Sequence, residues 1–170
     1  SIGKIDKGAD LTVAFRNFGE ENIQEALLQD YKGKPFNDIT MLLLQDIRIK
    51  HKKIQEKLLS MMGGEKLRVP VATALFVNFD PSLQSAIFDK MVGPLFSSSA
   101  TAMLQASTNI EQSNKILDRM IINKIKPNDL NILLPNIKDE ALLKRVISHA
   151  PEEGGVRNAL LLGITPDLEK

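Results

Sequence analysis

Basic side chains crowd together near residue 50, and they are the group in this sequence best suited to bind a ligand. Five of them fall within six positions, namely Arg48, Lys50, His51, Lys52 and Lys53. Such a cluster could bind an acidic peptide, a phosphate group or a lipid headgroup, and protonation of His51 below about pH 6.5 would strengthen the attraction. The same residues also fit the solvated side of a helix whose apolar side carries Ile47, Ile54, Leu58 and Met61 or Met62.

Residues that could perform catalysis or hold a metal ion are sparse. His51 and His149 are far apart, cysteine is absent, and no His or Glu spacing typical of a zinc site occurs. Residues 61–66 lack the glycine spacing and the Lys-Ser/Thr ending of a phosphate-binding loop. A Ser–His–acid triad can assemble from distant positions, but the three serines at 97–99 fit a flexible polar loop. We therefore expect no enzyme activity, no cofactor and no metal.

Composition and charge are those of an ordinary soluble globular chain. The 170 residues are 43% hydrophobic and 25% charged, and the formal net charge of +1 gives little attraction to nucleic acid. No apolar run reaches the roughly eighteen residues that a membrane span needs, and residues 1–10 lack the apolar core of a signal peptide. Together with the absence of disulfides, this favours a cytoplasmic location. The initial Ser suggests a fragment of a longer protein.

Six short apolar blocks recur along the chain at nearly constant spacing. They end at residues 18, 47, 79, 107, 137 and 164, which gives a period of about 27–32 residues. An amphipathic segment follows each of the first five blocks. Two of these segments, 23–28 and 54–59, share the pattern Ile-Gln-Glu-x-Leu-Leu. Self-similarity at a fixed period predicts a repeat architecture.

Each repeat is predicted to be a pair of helices, which we call helix A and helix B. Apolar residues in the blocks are three and four positions apart, as on one face of a helix. Residues typical of a helix start follow each block, as in Asp80-Pro81, Thr108-Asn109 and Asp139-Glu140. Near the block ends, Asn17, Asn78 and Asn136 favour the left-handed conformation that often closes a helix.

These patterns predict an all-α fold, an α-solenoid of about six helix-turn-helix repeats in a single domain. Segments rich in Gly, Pro and Ser separate the repeats. The predicted boundaries are about 9–35, 36–67, 68–97, 98–126, 127–153 and 154–170. The sixth repeat would expose the apolar run 159–162, unless the array continues in a longer protein or this end packs on a partner.

Three local details are open at this point. Residues 38–62 contain no Gly or Pro and could form one long helix rather than two. Pro135 falls near the end of its helix A, so that helix should be short or distorted. Residues 69–79 are rich in β-branched and aromatic types and would also suit a strand of a leucine-rich horseshoe. Helix is favoured, because most repeats place charged residues or Pro where that strand pattern needs an apolar one.

The repeats resemble degenerate ankyrin repeats. Segments Thr-Ala-Leu-Phe (73–76), Thr-Ala-Met-Leu (101–104) and 158–164 each precede a tight turn and a helix with paired apolar residues. The resemblance implies that these segments open the first helix of their repeats. Because the period falls short of the ankyrin period, it also implies that the projecting hairpin of an ankyrin array is absent or reduced.

Two further resemblances concern nucleic-acid readers. Residues 118–129 are similar to the end of a pentatricopeptide repeat, and the helix–Asn-Ile–helix layout resembles the DNA-reading repeats of plant-pathogen activators. Phe18 and Phe79 at the turns and the low net charge argue against both. The sequence thus favours a scaffold that binds another protein. The alternative is a targeting or regulatory module that binds a phosphorylated or acidic partner, or anionic lipid, through the basic cluster.

Overall fold

The structure is a computed structural model, and it describes residues 17–29, 49–120 and 124–151. These ranges contain eight α-helices, two 3-10 helices and two strands of two residues each. The predominance of helix confirms the predicted all-α class. The chain divides into two compact units, Ser1–Val92 and Gly93–Lys170, which we call the N-terminal unit and the C-terminal unit.

The helices follow the predicted order of A and B. The N-terminal unit contains α1 (Glu21–Gln29), α2 (Lys52–Met61), β1 (Leu67–Arg68), α3 (Val69–Asn78), a 3-10 helix (Pro81–Leu83), α4 (Gln84–Lys90) and β2 (Met91–Val92). The C-terminal unit contains α5 (Ser97–Ala106), α6 (Ile110–Asp118), α7 (Pro127–Leu133), a 3-10 helix (Leu134–Asn136) and α8 (Glu140–Ser148). Helices α3, α5 and α7 are A helices, whereas α1, α2, α4, α6 and α8 are B helices.

The helix starts are nearly evenly spaced along the described ranges. The B helices begin at residues 21, 52, 81, 110 and 140, if the 3-10 turn that leads into α4 is included. The A helices begin at residues 69, 97 and 127. Successive starts of one class are therefore 28 to 31 residues apart. Blocks 39–47 and 157–164, and block 11–18 up to residue 16, lie outside the described residues.

One pair of apolar side chains recurs in every described B helix. The seventh and eighth residues, counted from the helix start and for α4 from Pro81 of the preceding 3-10 turn, are buried in all five: Leu27 and Leu28, Leu58 and Leu59, Ile87 and Phe88, Ile116 and Leu117, and Val146 and Ile147. Burial of one such side chain contributes about 1.5–3 kcal/mol. The amphipathic pattern of each B segment therefore places its B helix against the core.

The turn between helix A and helix B forms a corner, and side chains cap three of these corners. Asp80 accepts a hydrogen bond of 3.0 Å from the Ser82 N–H. Asn109 and Asp139 accept bonds of 2.8 Å from the N–H groups of Gln112 and Leu142. These contacts confirm the predicted caps, since a side-chain oxygen at this position satisfies an otherwise unpaired N–H of the first helical turn.

The predicted left-handed ends of the A helices are wrong. Among the described residues, positive φ occurs at Gly63 (54°) and Gly93 (105°) and at no residue other than glycine. Helix α3 instead ends in an extended residue, Phe79, with φ −79° and ψ 166°. Asn78 therefore does not close its helix with a left-handed turn, because the chain straightens at once into the next cap.

The open local details are also decided. Residues 69–78 are helical, so the strand alternative is excluded for this block. A single helix over 38–62 is wrong, because His51 has extended backbone, with φ −80° and ψ 119°, directly before α2. Pro135 does shorten its helix: α7 spans seven residues and continues as a 3-10 turn. Within that turn the Asn136 side chain donates 3.1 Å to the carbonyl of Ile132.

Two sequence-based placements at the A helices need correction. Thr73 and Thr101 are the fifth residues of α3 and α5, where each hydroxyl donates 2.7 Å to the carbonyl four residues earlier. Segments 73–76 and 101–104, which resemble ankyrin helix starts, therefore lie inside their helices, and segment 158–164 lies outside the described residues. The serines at 97–99 form the first turn of α5 and not a flexible loop. The helix begins directly after Phe96, its N-cap, which has extended backbone.

The chain enters and leaves a repeat side by side. Strands β1 and β2 are parallel, with Leu67 opposite Met91. The C-terminal unit has an equivalent contact, in which the Ile125 N–H donates 2.9 Å to the carbonyl of His149. Leu67 and Ile125 both lie two residues before a helix A, and both are fully buried. This pairing fixes the direction in which each helical hairpin begins and ends.

Candidate functional site

The basic cluster surrounds the start of α2. Lys52 and Lys53 lie in the first turn of that helix, and Lys50 and His51 directly precede it. Ile54 and Leu58 are fully buried, so the lysines occupy the opposite, exposed side. Met62 is buried as well, and Met61 is partly exposed. Arg48 and Ile47 lie outside the described residues.

Carboxylates of α1 and α2 pair with Lys52 and Lys53 of this cluster, and with Lys57 beyond it. The Lys53 ammonium lies 3.2 Å from one carboxylate oxygen of Glu25, and Lys57 donates a short hydrogen bond to the other. Lys52 lies 3.7 Å from Glu56, one turn further along α2. Hydrogen bonds from Lys57 and then Lys53 lower the pKa of the Glu25 carboxyl below its ordinary value. The cations of α2 thus serve contacts inside the N-terminal unit.

His51 joins the segments that directly precede α1 and α2. Its Nε2 lies 2.7 Å from the carbonyl oxygen of Gly19, which precedes α1, and a carbonyl can only accept the hydrogen bond. Its Nδ1 lies 3.8 Å from the carboxylate of Glu21. Within the described ranges Lys50 is exposed and forms no ion pair. Of the four described members of the cluster, residues 50–53, three therefore have partners within the N-terminal unit.

A polar contact between successive B helices occurs in both compact units. In the C-terminal unit, Arg145 of α8 donates 2.7 Å to the side chain of Asn114 of α6 and forms an ion pair with Asp118. Arg145 and Lys57 are both the sixth residue of their helices, whereas Asn114 and Glu25 are both the fifth. This contact was not predicted from the sequence, where its signal is a complementary pair of residues about thirty positions apart.

A buried polar side chain occupies the fourth position of four of the five described B helices, with α4 counted from Pro81 of its 3-10 turn: Gln24, Gln55, Gln84 and Ser113. Gln55 donates 2.9 Å to the carbonyl of Ile49 and accepts 2.9 Å from the N–H of Asp80. Ser113 donates 2.9 Å to the hydroxyl of Ser107. In α2 and α6 these bonds tie helix B to the segments beside it. The sequence signal is glutamine about thirty residues apart, at positions 24, 55 and 84, and no prediction was based on it.

The serine and histidine that could have joined a catalytic triad lie in other contacts. The Ser97 hydroxyl donates to the carboxylate of Asp129 and accepts 2.8 Å from the Lys126 N–H. His149 directs Nδ1 at the carbonyl of Arg145, 2.9 Å away. Across residues 17–29, 49–120 and 124–151, no group of His, Cys, Asp or Glu could hold a metal ion. Ser97 thus links helix α5 to the start of α7.

A groove of about 370 Å³ lies between two corners of the C-terminal unit. We call it the corner groove; it runs between the α5–α6 corner and the α7–α8 corner. Its apolar lining consists of Leu104, Ile110, Leu133, Ile137 and Leu142. Ile110 is 47% exposed, a high value for a side chain of this size in a folded protein. The groove therefore offers apolar surface that the described residues of the C-terminal unit, 93–120 and 124–151, leave uncovered.

Polar residues surround this apolar floor, and few of them are charged. The polar lining consists of Gln105, Ser107, Thr108, Asn109, Ser113, Asn136, Lys138 and Asp139. Asn109 and Asp139 are engaged as helix caps. Lys138 and Asp139 carry opposite charges that cancel. Apolar character and neutral hydrogen-bonding groups thus determine what the groove can bind.

Comparison with known proteins finds no similarity on which to base a function. No protein-family model, curated protein or solved structure matches the chain. Among the helices in the described ranges, none has both the length and the apolar character that crossing a membrane would require. The function must therefore be argued from the geometry of the repeats and the groove.

Proposed function

We propose that the chain is a protein–protein interaction scaffold, an α-solenoid of helical repeats without catalytic activity of its own. The observation that carries the proposal is that helices of the same class pack on each other one repeat apart. In the C-terminal unit α5 contacts α7 and α6 contacts α8, and in the N-terminal unit α1 contacts α2. Repeats that contact mainly their neighbours build long surfaces, which suit the binding of another protein.

The corner groove supports the same proposal. A scaffold binds through a few buried anchor side chains surrounded by contacts that exclude water. The groove has an apolar floor for an anchor and a rim of amides and hydroxyls. It also lies at the corners, where one repeat follows another, so an adjoining repeat could extend the contact with a long partner.

The alternative function, a module that binds an acidic partner or anionic lipid through the basic cluster, receives less support. Glu25 and Glu56 offset Lys52, Lys53 and Lys57. A competing phosphate or carboxylate would have to displace these carboxylates. Each exposed ion pair contributes only about 0–1 kcal/mol, so a competing anion could displace a carboxylate at little cost. The displaced carboxylates would stay nearby, however, and would leave little net attraction between the lysines and that anion.

A binding screen tests the scaffold proposal against this alternative. The full chain is immobilised, candidates from cell lysate are purified, and each is titrated back in solution. We expect at least one partner that binds saturably and still binds to a variant in which Lys50, Lys52 and Lys53 are changed to Gln. Binding that disappears in this variant and falls steeply with salt would favour the alternative. If no candidate binds saturably, the scaffold proposal fails.

A further inference from the structure

We propose that the corner groove binds an uncharged peptide segment of a partner protein through one aromatic side chain that carries an N–H or O–H donor. The inference rests on the proposed scaffold function and specifies what its partner presents to the C-terminal unit. Two independent observations support it: the cancelling charges of the groove, and the way in which His51 contacts the equivalent corner of the N-terminal unit.

Charge complementarity excludes a charged anchor. Lys138 and Asp139 are the two charged residues of the lining. They are adjacent in the chain, and Asp139 is already engaged by the N–H of Leu142. A carboxylate or ammonium that entered the groove would lose its hydration without gaining an unopposed opposite charge. An uncharged anchor loses no such hydration and gains by covering the apolar floor.

The N-terminal unit shows what fits across such a corner. His51 directly precedes α2, and its ring reaches the carbonyl of Gly19, two residues before the start of α1. In the C-terminal unit the equivalent residues are Asp139, directly before α8, and Thr108, two residues before α6. Asp139 does not reach across in this way, because its carboxylate turns back to cap α8.

The carbonyl of Thr108 is therefore the natural acceptor for a donor from the partner. Within the part of the chain that the structure describes, no group donates a hydrogen bond to it. An aromatic side chain with a polar end matches both needs, since its ring covers apolar surface while its N–H or O–H finds an acceptor. A volume of about 370 Å³ accommodates such a ring with part of the adjoining backbone.

Short peptides test the inference directly on the full chain. The probes are acetyl-Gly-Ser-X-Ser-Gly-amide peptides in which X is Trp, Tyr, Glu or Lys. Their binding to the chain is monitored by two-dimensional ¹H–¹⁵N spectra. We expect the Trp and Tyr probes to shift the amide signals of Thr108, Ile110 and Leu142 saturably, with dissociation constants on the order of 1 mM for so small a ligand. The Glu and Lys probes should bind about tenfold more weakly or not at all.

Two matched variants make the test specific. Ile110→Glu places a carboxylate at the groove, and Ile132→Glu places one on an exposed residue outside it; the two side chains are 47% and 48% exposed. Ile110→Glu should weaken binding of the Trp probe about tenfold, whereas Ile132→Glu should leave it unchanged. Equal effects of the two variants, or equal binding of all four probes, would overturn the inference.

Two other outcomes separate this inference from the scaffold proposal. If a partner found in the screen binds equally well to the chain and to its Ile110→Glu variant, the groove assignment fails while the scaffold function stands. If sedimentation shows that the chain self-associates and that Ile110→Glu abolishes the association, the occupant is a second copy, and a distinct partner segment is excluded.

Discussion

Gln55 connects the segment before α2 with the corner that follows α3 through a single side chain. Its oxygen accepts a 2.9 Å hydrogen bond from the N–H of Asp80, and its nitrogen donates 2.9 Å to the carbonyl of Ile49. The side chain is only 2% exposed, so water cannot readily replace either bond. A buried amide that satisfies two backbone groups also specifies which segments meet. If one segment shifted relative to the other, both backbone groups would lose their hydrogen-bond partner.

We expect Gln55→Leu to destabilise the chain by about 2 kcal/mol. The substitution keeps the size of the side chain but leaves the two backbone groups without partners, and each such loss costs about 1–3 kcal/mol before relaxation. Urea unfolding followed by circular dichroism measures the change. Gln29→Leu, at an exposed position of α1, is the control and should change stability by less than about 0.5 kcal/mol. Similar losses for both variants would contradict the role given to Gln55.

The contact of Glu25 with Lys57 and Lys53 should make stability depend on pH. These hydrogen bonds lower the pKa of Glu25 in the folded chain below the ordinary value of 4.5. A lowered folded pKa means that the stabilisation is complete above the unfolded pKa and is lost as the pH falls through the folded value. The advantage of the natural chain over Glu25→Gln should therefore be present at about pH 7 and vanish in acid.

Urea unfolding of both proteins across this pH range checks the prediction. Glu65→Gln is a suitable control, because Glu65 is exposed and forms no ion pair within the described ranges. Added salt at about 1 M should also reduce the advantage at pH 7, since the contact is partly exposed. An advantage that is independent of pH would show that Glu25 acts through packing and not through its charge.

Helix α6 should depend on its cap. Asn109 accepts a 2.8 Å hydrogen bond from the N–H of Gln112, so Asn109→Ala should cost about 1 kcal/mol. Asn109→Asp should retain the stability, because a carboxylate both caps the helix and interacts favourably with its N-terminus. Thermal unfolding of these variants and of the neighbouring control Thr108→Ala tests the prediction. Equal loss in the Ala and Asp variants would exclude capping as the cause.

A double-mutant cycle can measure the contact between α6 and α8. Arg145 donates hydrogen bonds to the side chain and to the carbonyl of Asn114, at 2.7 and 3.1 Å. We expect Asn114→Ala and Arg145→Met to show a coupling energy of about 0.5–1 kcal/mol, because the arginine is only partly exposed. The same cycle with the exposed Lys144 in place of Arg145 should give none. Coupling near zero at Arg145 would mean that this contact does not stabilise the stacking.

Periodicity made much of the fold predictable. The apolar blocks and the cap residues Asp80, Asn109 and Asp139 are local signals, so sequence alone located the corners of the described repeats. The conformation that ends the A helices was not predictable in this way. Asn78 tolerates a left-handed turn, but the geometry of the following cap makes Phe79 extended instead. Tertiary context decided between two locally acceptable conformations.

The candidate site was less predictable, because it depends on distances between residues that are far apart in sequence. A run of lysines suggests a binding surface until Glu25, one repeat away, is placed beside it. Conversely, nothing in the local sequence marks Leu104 and Leu142 as two sides of one groove. Only comparison of residues one period apart, as for Glu25 and Lys57, could have indicated such contacts in advance.

The parallel pairing of Leu67 with Met91 has a consequence for how such a chain could arise. The segment that enters the hairpin and the segment that leaves it run side by side in the same direction. Strands paired in this way lie about 5 Å apart. The chain therefore leaves this hairpin in the direction in which it entered, so loss or duplication of the hairpin would not reverse the course of the chain.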